Sequence, residues 1–238
     1  MKMMSYEVSE KDLADIDLSK KSVLNTINPH SYVIAKDDAF FKEALDDSDI
    51  LIPDGSGMVL AAKVLDGRSI KKIAGADLHK FLLQRAESQK GKVFYMGAMQ
   101  STLDKITQRI AKEYPNIEVQ SYSPPFKPQF SKEDNEVIIQ KINQFQPDIL
   151  FVGMTAPKQE KWLYENKQKL NFNVASCIGA VFDFYAGTVE RPSDIWINLY
   201  LEWLGRLLKE PKRMWKRNFV STPLFLLDIL MYKLKIKQ

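Results

Sequence analysis

The chain has 238 residues, 45% of them hydrophobic and 27% charged, with ten Gly, eleven Pro and a single Cys. This composition suits one large folded domain with an appendage; it excludes a disulfide scaffold and argues against wholesale disorder. No apolar run reaches the ~18 residues of a spanning helix, and the charge-alternating start lacks a signal-peptide core, so a reducing, cytoplasmic setting is expected.

The net charge of +4 is unevenly spread. Residues 204–238 carry nine Lys or Arg against Glu210 and Asp228, a net of +7, which leaves −3 on the remainder. A near-neutral body with a basic tail points to an anionic partner such as phosphate groups, a membrane face or nucleic acid.

In chain order, residues 1–19 read as a polar lead-in with at most a short helix. Residues 22–35 read as a short strand, a polar turn over 25–31 and the start of a helix running to about Leu45, with Asn-x-x-Asn-Pro suited to capping it. A strand over 49–52 leads through Pro-Asp-Gly-Ser-Gly into a helix over 57–65. A link over 71–75 is followed by a helix over 76–89. Residues 90–110 repeat the pattern of strand, Gly turn and helix. A strand over 117–122, a Pro-rich loop over 123–129 and a helix over 131–144 come next, the helix opened by Ser131 with Asp134 three residues on, a capping-box pair. The clearest unit is PDILFVGMTAPKQEKW (147–162), a continuous apolar run, a turn at Gly153 and a polar helix start. A last strand over 174–178 ends in a turn over 179–187.

Strands alternating with helices predict a Rossmann-like parallel sheet flanked by helices over about 20–195, with ligands at the carboxyl edge of the strands. The turns at 53–57, 97–99 and 153–159 are expected to converge there on one crevice. Residues 196–238 form the helical, membrane-associating appendage.

Several residues fit chemistry at such an edge. Asp54 ends an apolar strand and is followed by Gly55 and Gly57, which let a substrate approach the backbone; a carboxylate there suits a general base, with a helix cap as the alternative. Thr26 and Asn28 offer uncharged hydrogen bonds to the same edge or serve their own turn. Gln159, just inside a helix start, suits a base or sugar contact, and the amides around it suit an anion. Asp183, between Phe182 and Phe184, must find a partner and reads as a structural lock.

Other signatures are missing. GSGMVL lacks the third glycine of a dinucleotide fingerprint, which disfavours a nucleotide-dependent oxidoreductase. His30 and His79 stand apart and Cys177 has no partner nearby, so no metal or other cofactor is expected. Asp15-Ile16-Asp17 matches the metal-binding Asp-x-Asp of many sugar-nucleotide transferases but precedes the first strand rather than ending one. The basic tail then becomes the source of charge for a departing diphosphate. In LYLEWLGRLLKEPKRMWKR (199–217), Arg206, Arg213 and Arg217 suit phosphate clamps, and Pro211 breaks or restarts the helix. FVSTPLFLLDILMY (219–232) is apolar but interrupted by Pro223 and Asp228, which suits a segment lying in a membrane interface or packing on the body or a second subunit. A nucleic-acid-binding module would rest on the basic tail alone, without stacking platforms, and no nucleic-acid partner is expected.

Together PDGSG (53–57), APKQEKW (156–162), AVFDFYAG (180–187) and LEWLGRLLKEPKRMWKR (201–217) resemble the WecG/TagA/CpsF family of bacterial glycosyltransferases, in the same order over about 25–217. The resemblance implies an inverting, metal-independent transfer of an N-acetylmannosamine-type sugar from a UDP-sugar to a polyprenyl-diphosphate-linked sugar. It also implies work on the cytoplasmic membrane face, in teichoic acid or other cell-surface polysaccharide synthesis, with a homo-oligomer as one possible state. By the same resemblance Asp54 is the catalytic base, Thr26 and Asn28 the pocket hydroxyl and amide, and Gln159 a substrate contact, while Arg206 and Arg213 complete the site from the appendage. Two positions depart from the pattern. Lys72 stands in place of a pocket arginine, and either Lys216 or Arg217 supplies the third appendage cation.

Overall fold

The computed structural model describes residues 1–189, 204, 207–208 and 211–234, Arg213 by its backbone alone. An N-terminal hairpin, β1 (Lys2–Met3) and β2 (Tyr6–Glu7), precedes the alternating part of the chain. There follow β3 (Ser22–Ile27), α1 (Pro29–Asp37), α2 (Ala39–Asp46), β4 (Ile50–Pro53), α3 (Ser56–Asp66) and α4 (Gly75–Gln89). Then come β5 (Lys92–Gly97), α5 (Gln100–Glu113), β6 (Glu118–Tyr122), α6 (Lys132–Phe145), β7 (Ile149–Gly153) and α7 (Lys158–Asn166). The alternation closes with β8 (Val174–Cys177) and α8 (Gly179–Ala186). After residue 210 the chain forms α9 (Pro211–Lys216), a π-helical turn (Arg217–Ser221) and α10 (Thr222–Lys233).

β3 to β8 form one parallel sheet in the order β4-β3-β8-β7-β5-β6. Because helices cover both faces, the central strand β7 (ILFVG) is apolar throughout, whereas the edge strand β6 (EVQSY) is polar, and successive side chains of β5 and β7 alternate between two cores. Val93, Tyr95, Ile149 and Phe151 point into a core with Leu78, Leu82, Leu103 and Ile106. Phe94, Met96, Leu150 and Val152 point the other way, against Ile138, Ile142, Trp162 and Leu163.

A third core differs from the sequence reading. Residues 1–19 are not merely a polar lead-in: Met3, Met4, Tyr6 and Val8 pack with Ile27, Tyr32, Phe41, Met58 and Ala61, and Phe225 and Ile229 of α10 join the same cluster. The hairpin is held there by Ser9 donating its N–H to the Leu51 carbonyl at 2.8 Å. Two further expectations change. The helix expected up to Leu45 is two, because Asp38 leaves helical geometry (φ −128°) and caps α2 by accepting from Phe41 N–H at 3.0 Å. Residues 179–187 are not a turn but α8, whose flanking glycines mark helix ends. Gly187, at φ +69°, ends it in the left-handed conformation that glycine adopts without strain.

The sheet order also decides which strand ends lie close. Gly97 and Gly153 are paired neighbours, and Ala98 donates to the Gly153 carbonyl at 2.9 Å, so those two turns do meet. The turn after β4 lies at the opposite edge, separated from β7 by β3 and β8. At about 4.8 Å per strand that is roughly 14 Å, which is why the three turns do not share one small crevice.

Candidate functional site

The site is built where β3 and β4 end. Asp54 donates its N–H to the Ile27 carbonyl at 2.9 Å, tying the end of β4 to its neighbour. Asn28 opens α1: its Oδ1 accepts from the N–H groups of His30 (3.0 Å) and Ser31 (3.1 Å), and its own N–H donates to Ser31 Oγ at 2.9 Å. Gly55, at φ +93°, starts α3. A Cβ on Gly57 would lie 2.5 Å from Cγ of the rigid Pro29 ring, so glycine is what allows the first turns of α1 and α3 to sit side by side. Their amide ends set a positive potential suited to an anion.

The C-terminal helices close the other side. A cavity of about 480 Å³ is lined by Asn28, Pro29, His30, Asp54, Gly55, Ser56, Gly57, Leu60 and Lys72 from the body. Met214, Arg217, Asn218, Phe219, Thr222 and Leu226 line it from the appendage. Arg217 opens the π-helical turn, and its carbonyl accepts from Thr222 Oγ1 at 2.9 Å. Such turns widen a helix locally and recur at functional positions. Asp54, Lys72 and Arg217 thus bring one carboxylate and two cations to a single cavity.

What holds α10 in place is legible atom by atom. Phe225 is fully buried and meets the Tyr32 ring edge-on, with centroids 5.2 Å apart. Asp228 is buried as well, accepting from Lys36 Nζ at 2.6 Å and from Tyr32 Oη at 3.2 Å. A buried carboxylate is tolerated only with such partners, so the charge that interrupts the apolar run is a bridge to the body. Burial, then the Asp228 charge, raises the Tyr32 phenol well above its usual range. Pro223 follows the π-helical turn directly, where the helix is locally widened and a residue without an N–H is accommodated.

His30 bridges the two sides, with its Nδ1 2.8 Å from Ser221 Oγ. Burial, reinforced by the charges of Arg217 and Lys216, pushes the imidazole down from 6.5 to about 4. The folded state therefore resists protonation while the unfolded chain takes up a proton below pH 6.5. Stability is fully present above that value, is lost as pH falls from 6.5 towards 4, and then levels off. Glu160, raised to about 7 by burial, contributes the opposite slope, so the comparison is with a variant. Relative to His30→Asn, which keeps a hydrogen-bonding group near Nδ1 but does not titrate, the wild type is expected to lose stability across that window in urea titrations. Parallel curves for the two proteins would refute it.

The remaining candidates are placed as follows. Asn28, Asp54, Lys72 and Arg217 line the cavity. Thr26 is half-buried within β3, paired with Ile52, and is not part of the lining. Gln159 is buried: its Oε1 accepts from Met154 N–H (3.0 Å) and Gly179 N–H (3.1 Å), and its Nε2 donates to Glu160 Oε1 at 2.8 Å. It ties the turn after β7 to the start of α8 and does not line the cavity. Arg206 and the side chain of Arg213 lie outside the described residues. Asp183 is half-buried, and its carbonyl accepts from Thr188 N–H (3.0 Å) and Val189 N–H (3.3 Å), closing the end of α8. Asp17 of the Asp-x-Asp motif accepts from Ser19 N–H at 2.9 Å and is remote from this lining. His30, Met214 and Asn218 also line the cavity, and the sequence reading gave none of them a place there. For His30 a signal existed, since it lies two residues after the capping Asn28 and so must occupy the first turn beside the strand end.

The match to known proteins covers nearly the whole chain. The model of the glycosyl transferase WecG/TagA/CpsF family matches residues 3–238. A relative from Bacillus subtilis (strain 168) is 32% identical over 215 residues, covering 90% of this chain and 81% of its own. One from Bacillus spizizenii (strain ATCC 23059 / NRRL B-14472 / W23) is 30% identical over 226 residues, covering 95% and 85%. One from Staphylococcus aureus (strain MW2) is 28% identical over 213 residues, covering 90% and 81%. All three carry the name N-acetylglucosaminyldiphosphoundecaprenol N-acetyl-beta-D-mannosaminyltransferase. On this match over residues 3–238 the chain belongs to the WecG/TagA/CpsF family of glycosyltransferases.

Proposed function

We propose that the enzyme moves an N-acetylmannosamine-type sugar from a UDP-sugar to a polyprenyl-diphosphate-linked sugar, with inversion and without a metal, in teichoic acid or related cell-surface polysaccharide synthesis. The observation that carries this reading is the single cavity uniting Asp54, Lys72 and Arg217 with two helix N-termini. The relatives' names supply the acceptor and the sugar. Asp54 takes the proton from the acceptor hydroxyl, whose oxygen bonds to the anomeric carbon as the bond to the UDP oxygen breaks. Lys72, Arg217 and the first-turn amides of α3, which no side chain caps, meet the charge that develops on the diphosphate, and we assign Arg206 and Arg213 to the same task. Thr26 and Gln159 act from behind, through the strand and turn they hold.

A panel of UDP-sugars with a lipid-diphosphate acceptor tests the reading, and transfer is expected to persist in EDTA. Among the described residues no three His, Cys, Asp or Glu side chains gather to hold a metal, and cations already line the cavity. Complete loss in EDTA, restored by Mg²⁺ or Mn²⁺, would overturn the metal-independent part.

An acceptor carried on a lipid supports membrane association, and we assign the enzyme to the cytoplasmic membrane face. No helix among the described residues is long and apolar enough to cross a membrane. α10 instead leaves Leu224 and Leu227 about half exposed beside a basic tail. An apolar face and Lys or Arg contributing about 1 kcal/mol each suit an interfacial helix on anionic lipid. Serine at both leucines is expected to weaken flotation with anionic vesicles on the order of tenfold. Unchanged flotation would remove α10 from the membrane contact.

A further inference from the structure

We infer that Leu60, Phe219 and Leu226 form a subsite for the isoprene units nearest the acceptor's diphosphate. The inference rests on the transfer reaction proposed above and assigns a place to one part of its substrate.

The three residues line the same cavity as Asp54, Lys72 and Arg217, yet each remains exposed, at 44%, 64% and 42%. Scattered exposed leucines need no explanation, but a group of large apolar side chains walling a cavity that also holds two cations does. Such a wall matches a ligand that is anionic at one end and hydrocarbon at the other. The donor offers one flat face, its uracil, which a single ring covers, and no aliphatic chain to pack on Leu60 and Leu226. A flat bilayer surface fits poorly too, because these side chains face a concavity shared with the strand-end carboxylate.

The geometry of α10 gives the hydrocarbon a direction. Thr222 and Leu226 lie one turn apart on the face that lines the cavity, and Leu230, 54% exposed, continues that stripe another turn. Four residues at 1.5 Å rise carry the stripe about 6 Å beyond the cavity lining. The adjoining face, about 60–100° round the helix, is committed to the body through Phe225 and Ile229, which keeps the stripe from rotating inward. The chain would leave the cavity along this stripe and pass into the lipid contacted by the same helix.

The test uses full-length protein without detergent or vesicles, and two soluble acceptors that share one sugar-diphosphate head. One carries a short prenyl chain and the other a methyl group. The wild type is expected to favour the prenyl acceptor in kcat/KM on the order of tenfold or more, through KM rather than kcat, because the chain is remote from the reacting atoms and is bound alike before and during reaction. Leu60→Ser and Leu226→Ser should each cut that preference about three- to tenfold, the worth of one lost apolar contact. Phe126→Ser, fully exposed and outside the cavity, should leave it unchanged. Turnover of both acceptors with no preference, or a preference untouched by the two leucine substitutions, would overturn the inference while leaving the transfer reaction standing. Turnover of neither acceptor by the wild type would take the reaction and the subsite down together.

Discussion

Replacing Asp54 with asparagine is expected to lower turnover by about 10²- to 10⁴-fold, the usual contribution of a positioned general base, while leaving the fold and the binding of UDP-sugar intact. The substitution is nearly isosteric. The backbone of this residue is held by its N–H on the Ile27 carbonyl and by the positive φ of Gly55, and both survive the substitution. The carboxylate is half-buried between the first turns of α1 and α3 and shares the cavity with Lys72 and Arg217, so an amide there removes the proton acceptor without opening the site. Steady-state rates with the matched donor and acceptor, together with an unfolding curve for the variant, separate chemistry from folding. A folded Asp54→Asn protein turning over within a few-fold of the wild type would show that the base lies elsewhere.

Phe225→Ala is expected to cost about 3–5 kcal/mol of stability and to abolish most transfer activity, although the residue lines no part of the cavity. Its ring is fully buried, stacked edge-on against Tyr32 and adjacent to Gly57, where a Cβ would meet it at 3.5 Å. Truncation leaves a void at the seam between α10 and the body. The same helix bears Asp228 on Tyr32 and Lys36, and the preceding turn bears Ser221 on His30, so loosening one anchor weakens the others. Arg217, Asn218 and Phe219 would then lose their fixed position over Asp54. Calorimetry or urea titration measures the first effect and the transfer assay the second. A loss below about 1 kcal/mol with normal activity would mean that α10 does not rest on the body in solution.

This packing also bears on where the chain divides. The compositional break near residue 195 suggests a detachable tail, yet Phe225 and Ile229 share a core with the N-terminal hairpin, α1 and α3. Removing residues 196–238 would uncover Tyr32, Met58 and Ala61 as well as remove charge, so a truncated body should be less stable than the intact chain.

The amino-acid sequence by itself determined what local periodicity can encode. Continuous apolar runs ending in glycine, alternating with amphipathic segments, specify parallel strands with helices on both faces, and they place Asp54 and Asn28 at strand ends before any contact is known. Ser131 with Asp134 marks a helix start with equal economy, and the observed helix begins one residue later. Strand order has no such local signature. Only the tertiary structure put two strands between β4 and β7, which left Gln159 holding a buried turn while Asp54 faced the appendage. Nor does an apolar run with one acid reveal what the acid is for: Asp228 looks like an interruption until Tyr32 and Lys36, almost two hundred residues earlier, are folded against it. His30 is the same case in reverse, an isolated histidine along the chain that becomes a bridge once Ser221 arrives from the far end. Contacts between distant segments depend on which elements pack together, and that choice is made by the summed burial of whole faces rather than by any short stretch that can be read alone.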